Sequence, residues 1–223
     1  MQAPHASFTE LYSHAIAQSL FGFEGSYTSL DALIPGNGYW LRMSQASTDT
    51  LNGYPIQDLT LDLRNGWNLI SGSGTPLSVS SISDPSQILV PNSLFGFSGS
   101  YQLADTLLPG RGYWIRSSAN GSIGLSSGAG GASKAAPSSF DGFSRITIGP
   151  LDSEGRPGAD VIALYFAGEH AGTADVDSYR LPPVPPSGTL DARFESDRYA
   201  SNRRQENVFL QHAGSMSWVV LDD

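Results

Sequence analysis

SLFGFEGSYTSLDALIPGNGYWLRMS, residues 19–44, returns as SLFGFSGSYQLADTLLPGRGYWIRSS, residues 93–118, without a gap and with about two-thirds of the positions identical. The offset of 74 residues, from Ser19 to Ser93, means that one supersecondary unit is built twice. In each copy a Pro-Gly pair, Pro35-Gly36 or Pro109-Gly110, predicts a type II turn. Proline presets φ at the second turn position and glycine takes the positive φ of the third. The turn leads into GYWLR or GYWIR, short aromatic stretches that read as strands. Duplication of this kind points first to a scaffold or a binding surface, because a catalytic site rarely needs two copies.

Upstream of the second copy lies LTLDLRNGWNLISGSGTPLS, in which Leu59, Leu61 and Leu63, then Trp67 and Leu69, alternate around Asn65-Gly66. That pattern predicts a β-hairpin. Carried back by the repeat offset, the matching GWNLI would fall before Met1, so the first repeat is expected to be truncated. Either the chain is a piece of a longer array, or the missing strand comes from elsewhere in the chain or from a second subunit in a homo-oligomer. Residues 7–20 are the best helix candidate, since Phe8, Leu11, Tyr12, Ala15 and Ile16 recur at helical spacing behind a Ser or Thr cap.

Beyond the repeats, SSGAGGASKAAPSS (126–139) has no apolar periodicity and the composition of a flexible linker. After it the segments FSRITIG, VIALYFAGE, SYRLPPVPP, TLDARFES, NVFLQHAG and SMSWVVLDD read as six strands of an immunoglobulin-like β-sandwich. The pairs Pro182-Pro183 and Pro185-Pro186 lack ladder donors and belong at an edge or in an extended crossover. The expected fold class is therefore all-β. A tandem-repeat β domain covers 1–125, with its second repeat from about 55, the linker covers 126–139, and the sandwich covers 140–223, with at most one short N-terminal helix.

Composition narrows the partners. With 21 acidic against 12 basic residues the formal charge is −9, a field that repels phosphate backbones and anionic lipid headgroups, so neither nucleic acid nor a membrane surface is expected. The absence of cysteine excludes disulfides, thiolate catalysis and cysteine-ligated zinc. No stretch has the roughly 20 apolar residues of a membrane-spanning helix. MQAPHASFTE has neither the basic region nor the apolar core of a signal peptide, so any export signal is expected to lie outside this sequence. HExxH, GxGxxG and Walker patterns are not present.

GWNLI followed by SLFGFSGSY and LLPGRGYWIR resembles the repeats of large secreted proteins of Bacteroidetes-like bacteria. LYFAGE and DSYRLPPVPPSGTLDARF resemble the β-rich modules that stand before the C-terminal sorting domain of such proteins. The resemblance implies export, a secreted or cell-surface location and a β-rich fold. It carries no catalytic residues.

Candidate chemistry comes from the duplicated positions. Successive strand side chains point to opposite faces, so one ring of Tyr39/Trp40 and one of Tyr113/Trp114 is expected to face outward. Beside Arg42 or Arg116, such a ring is a platform for sugar rings or peptide side chains. The competing expectation is that the second ring packs under a loop or across the partner repeat. Carbohydrate or another cell-surface component is the partner this pattern favours. Asp31 and Asp105, equivalent across the copies, together with Glu169 and Glu195, are the carboxylates a glycoside hydrolase would use, although DALIPG and DTLLPG equally invite turn caps. Glu169-His170 and His212 are conceivable acid–base groups without an identifiable third partner. No cofactor is implied. Calcium is the one ion that Asp152, Glu154 and Asp160 could take, but their spacing does not match a calcium loop and solvated turns are the simpler reading. A purely structural or assembly module is the remaining alternative.

Overall fold

The computed structural model describes residues 7–50, 54, 56–126, 143–149, 161–167, 179–202, 206–211 and 218–222. A short helix α1 (Phe8–Leu11) precedes β1 (Ala15–Phe23), β2 (Tyr27–Ser29) and β3 (Trp40–Met43), the first copy of the repeat. Then come β4 (Asp58–Leu63), β5 (Gly66–Ser71), β6 (Leu77–Ser78), a 3-10 turn at Val79–Ser81, β7 (Phe95–Phe97), β8 (Tyr101–Leu103), β9 (Thr106–Leu107), β10 (Gly112–Ser117) and β11 (Gly121–Ser126). The C-terminal part supplies β12 (Phe143–Gly149), β13 (Ile162–Ala167), β14 (Asp191–Phe194), β15 (Ala200–Ser201), β16 (Val208–Gln211) and β17 (Trp218–Asp222). The fold is all-β, as the sequence predicts. By contact the chain forms two units: Met1–Val90 with Ala104–Ala135, and Pro91–Leu103 with Ala136–Asp223. The β7–β8 hairpin is thus part of the repeat by sequence and part of the second unit by contact.

In the first unit, the helix expected over 7–20 ends at Leu11 and residues 15–23 are strand. The helical spacing is overridden because β1 is the central strand of a sheet ordered β2-β1-β3. A bulge between Ala15 and Leu20 lets β1 stay in register with β3, and Gln18 takes φ +59° inside it. Ser19 fills the bulge: its Oγ donates to the Ile16 carbonyl at 2.6 Å and accepts from Arg42 N at 3.3 Å.

The hairpin expected at Asn65-Gly66 does not form either, because β4 and β5 do not pair with each other. β4 pairs with β11, from Asp58↔Ser126 to Leu63↔Gly121, and β5 pairs with β10, from Gly66↔Ser117 to Ser71↔Gly112. Together they make one two-stranded ribbon folded at a corner. Residues 64 and 65 form one side of the corner and 118–120 the other, so one residue is in excess there. Gly66, with φ +99°, serves this bend rather than a hairpin turn. Asn68 clamps it: its Oδ1 accepts from Arg64 N at 2.9 Å and its Nδ2 donates to the carbonyls of Arg64 (2.8 Å) and Gly66 (3.1 Å). Asn65 N donates across the corner to Asn120 Oδ1 at 2.8 Å. Leu61 and Leu63 of β4 and Ile123 and Leu125 of β11 are buried on one face, the alternation the leucine spacing predicts.

The predicted Pro-Gly turns are present, with Gly36 at φ +91° and Gly110 at φ +73°, and Asn37 N closes the first on Ile34 O at 3.2 Å. The free edge of β5 receives this first turn, with Gly38 N donating to Leu69 O at 3.0 Å and Ser71 N to Gly36 O at 2.8 Å. Ile70 is paired with Tyr113 on one side and bridged to Asn37 on the other.

In the second unit a four-stranded sheet, ordered β15-β13-β12-β17, is antiparallel except for the β13–β15 pair. The β14–β16 pair meets it through Phe166 and Phe194, whose rings stand 4.5 Å apart. SYRLPPVPP, read from the sequence as one of the six strands, forms none among its described residues: 182–186 is outside every strand, because its prolines lack the donors a ladder needs. Its carbonyls are taken by side chains instead. Arg193 Nη1 donates to Pro182 O at 2.7 Å, Tyr101 Oη to Pro183 O at 2.7 Å, and Gln211 Nε2 to Pro185 O at 3.1 Å. Arg193 is 2 % exposed and grips Asp191 through two bonds of 2.6 and 3.0 Å. Burial works against its charge, but the hydrogen bonds and charge of Asp191 prevail, and the guanidinium pKa lies above its ordinary value.

Candidate functional site

The repeated aromatics have repeated jobs. In each copy a three-residue loop closes the hairpin, with Glu24 N on Ser26 O and Ser98 N on Ser100 O, both at 3.1 Å, around Gly25 (φ +89°) and Gly99 (φ +77°). The rings flanking each loop stack edge to face, Phe23–Tyr27 at 5.3 Å and Phe97–Tyr101 at 5.5 Å. The GYW tyrosine folds back over the Pro-Gly turn. Tyr39 Oη accepts from Ile34 N at 2.8 Å, and Tyr113 Oη from Leu108 N at 3.0 Å.

The expectation that one ring of each pair faces outward is not met in the second copy. Tyr113 is 4 % and Trp114 2 % exposed, because both faces of β10 are covered. The Trp114 ring stands 4.8 Å from Phe23 and 6.4 Å from Tyr27, so the first repeat's hairpin rings cover it. Packing across the partner repeat, the competing expectation, is what the geometry has. In the first copy Tyr39 and Trp40 are half-buried and Arg42 is exposed, while Arg116 is half-buried.

A cleft of about 570 Å³ opens in the first unit. Phe23 and Tyr39 supply its aromatic walls, and Asn37, Asp62, Arg64 and Asn68 its polar ones. At its rim Arg64 and Glu24, both largely exposed, form an ion pair at 3.2 Å. Asp62 accepts from Ser122 Oγ at 2.6 Å. Such walls, two aromatic residues beside amides and carboxylates, can hold a polar ring-shaped ligand. Of the six aromatic and arginine residues picked from the sequence, only Tyr39 lines this cleft.

The carboxylates picked as hydrolase candidates are not brought together in it. Asp31 and Asp105 are exposed beside their turns, with Asp105 Oδ1 accepting from Thr106 Oγ1 at 2.9 Å, and Glu195 is exposed in the second unit, accepting from Asn207 Nδ2. The cleft's own carboxylates, Glu24 and Asp62, escaped the sequence reading. Divergence between the copies does not mark the cleft: Glu24, Thr28, Leu30, Ile34 and Asn37 line it and differ from their equivalents, but Gly22, Phe23, Pro35, Gly36, Gly38 and Tyr39 line it too and are unchanged in the second copy. Glu169, His170, His212 and the calcium candidates Asp152, Glu154 and Asp160 lie outside the described residues. Among the described residues no three His, Cys, Asp or Glu side chains cluster in a way that could hold a metal, and no helix is long and apolar enough to cross a membrane. Compared with protein-family models, curated proteins and solved structures, the chain matches none of them.

Proposed function

We propose that this chain is a non-catalytic structural module of an exported, repeat-built protein, in which the duplicated aromatics hold repeats together rather than bind a ligand. One observation carries the reading: Trp114, one of the rings the sequence offers as a binding platform, is enclosed by Phe23 and Tyr27 of the other repeat. The paired tyrosine locks support it, since both hydroxyls are engaged by backbone amides. The secreted or cell-surface location follows from the sequence resemblance and belongs to the proposal.

A second reading, a carbohydrate-binding module, is favoured by the cleft at Tyr39, Asn37 and Asp62. A glycan array with the full chain, run beside urea unfolding of Trp114→Ala, separates the two. The structural reading expects no selective glycan retention and a large stability loss. Selective retention that Asp62→Asn abolishes at unchanged stability would overturn it in favour of glycan binding.

A further inference from the structure

The two copies of the GYW strand differ in what covers their outer edge. In the second copy, Trp114–Ser117 of β10 pair with Leu69–Gly66 of β5. In the first copy the matching β3 stands at the end of its sheet, next to β1 alone. The direction of its backbone groups can be read from its neighbours. Arg42 N and O both meet Ser19 Oγ on the β1 side, at 3.3 and 3.2 Å. Strand backbone groups alternate in direction, so Leu41 and Met43 aim their N–H and C=O at the opposite edge. The Leu20 carbonyl confirms this phase: it faces away from β3, accepting from Leu30 N at 2.9 Å. Among the described residues no backbone hydrogen bond fills that outer edge. Side-chain burial follows the same asymmetry, for Ile115 is 2 % exposed while its equivalent Leu41 is only half-buried.

We infer that the outer edge of β3 is a docking site for an extended strand of the Gly-Trp-Asn-Leu pattern, supplied by a further repeat unit and not by a second copy of this chain. The β5–β10 pairing is the template. Ile115 and Ser117 face Asn68 and Gly66 there, so the incoming Asn and Gly would pair with Leu41 and Met43. A second copy is disfavoured because its own β5 is held on both edges, by β10 and by the turn at Gly36–Gly38. The inference rests on the structural reading above and extends it to a specific partner chemistry.

The probe is a fluorescent peptide, LRNGWNLISG, titrated into the full chain and followed by anisotropy. Saturable binding is expected. N-methylation at the peptide's second Asn, the equivalent of Asn68, whose N–H would enter the new ladder, should weaken binding by about tenfold or more, while N-methylation at the following Leu, which faces away, should change it by less than about twofold. Leu41→Pro removes one outward N–H at an edge position, where proline is tolerated, and should abolish binding with the circular dichroism spectrum retained. Should that variant misfold, the two methylated peptides decide alone. No saturable binding, or equal effects of the two methyl groups, would overturn the inference. So would sedimentation of the chain alone showing a dimer that the peptide dissolves, because the occupant would then be a second copy. None of these results bears on the glycan array or on Trp114, so failure here leaves the structural reading standing.

Discussion

Replacing Trp114 with alanine tests the central packing claim directly. A tryptophan at 2 % exposure removes roughly 200 Å² of largely apolar surface from water. At about 25 cal/mol per Å² that is about 5 kcal/mol, of which alanine keeps a fraction, and large-to-small changes of this kind cost about 3–5 kcal/mol. Urea unfolding of the full chain, followed by near-UV circular dichroism, should show that loss at unchanged slope. The ring contact with Phe23 at 4.8 Å adds a second number. A double-mutant cycle of Phe23→Leu and Trp114→Leu should return a coupling of about 0.5–1.5 kcal/mol. Trp114→Phe keeps a ring and removes an indole N–H that is buried without a hydrogen-bond partner among the described residues, so it should cost clearly less than alanine. A loss below about 1 kcal/mol for alanine, or a coupling indistinguishable from zero, would refute the reasoning, since an exposed ligand platform behaves that way and an enclosed ring does not.

The tyrosine locks predict that Tyr39→Phe and Tyr113→Phe each cost about 1 kcal/mol in the same unfolding assay, and nearly equally, because the same bond is lost in each copy. The equivalent glycines should instead differ. A Cβ on Gly38 would collide with the Ile70 carbonyl, whereas one on Gly112 would find its nearest neighbour, Tyr39 N, at 3.5 Å, so only Gly38→Ala should lower the melting temperature by several degrees. Arg193→Met leaves Asp191 buried without its partner and should cost about 3–5 kcal/mol, recovered in large part by the added change Asp191→Leu. Asp49 accepts from the Ser13 hydroxyl and amide and from Ser47, which lowers its pKa below 3.8. The stability it contributes is therefore present above pH 3.8 and disappears as pH falls through the lowered folded value. Ser13→Ala should return the Asp49 titration, followed by carboxyl-carbon NMR, toward 3.8, and an unmoved midpoint would contradict the assignment.

The repeat, the Pro-Gly turns and the leucine alternation of β4 were legible because each depends on neighbours in sequence. Asn65-Gly66 misled for a physical reason. A positive φ at Gly66 serves a corner as well as a hairpin, and no local signal tells whether two strands pair with each other or with strands 41 or more residues away. Residues 7–20 carry apolar spacing that a helix would satisfy, but pairing with β2 and β3 decides for a strand from Ala15 onward. Alternation put Tyr113 and Trp114 on opposite faces and could not reveal that both faces are covered. The cleft was hidden more deeply, for it is assembled from the first hairpin, the first Pro-Gly turn and the β4–β5 corner.

The segment Pro182–Pro186 has a consequence for how this molecule avoids sticking to itself. Four of its five residues are prolines, so Val184 alone carries a backbone N–H, while side chains of Arg193, Tyr101 and Gln211 already hold carbonyls along its length. A cross-β stack grows only where each layer both offers and receives hydrogen bonds, and this stretch is nearly incapable of offering. Along this stretch, accidental fibril growth has nowhere to start.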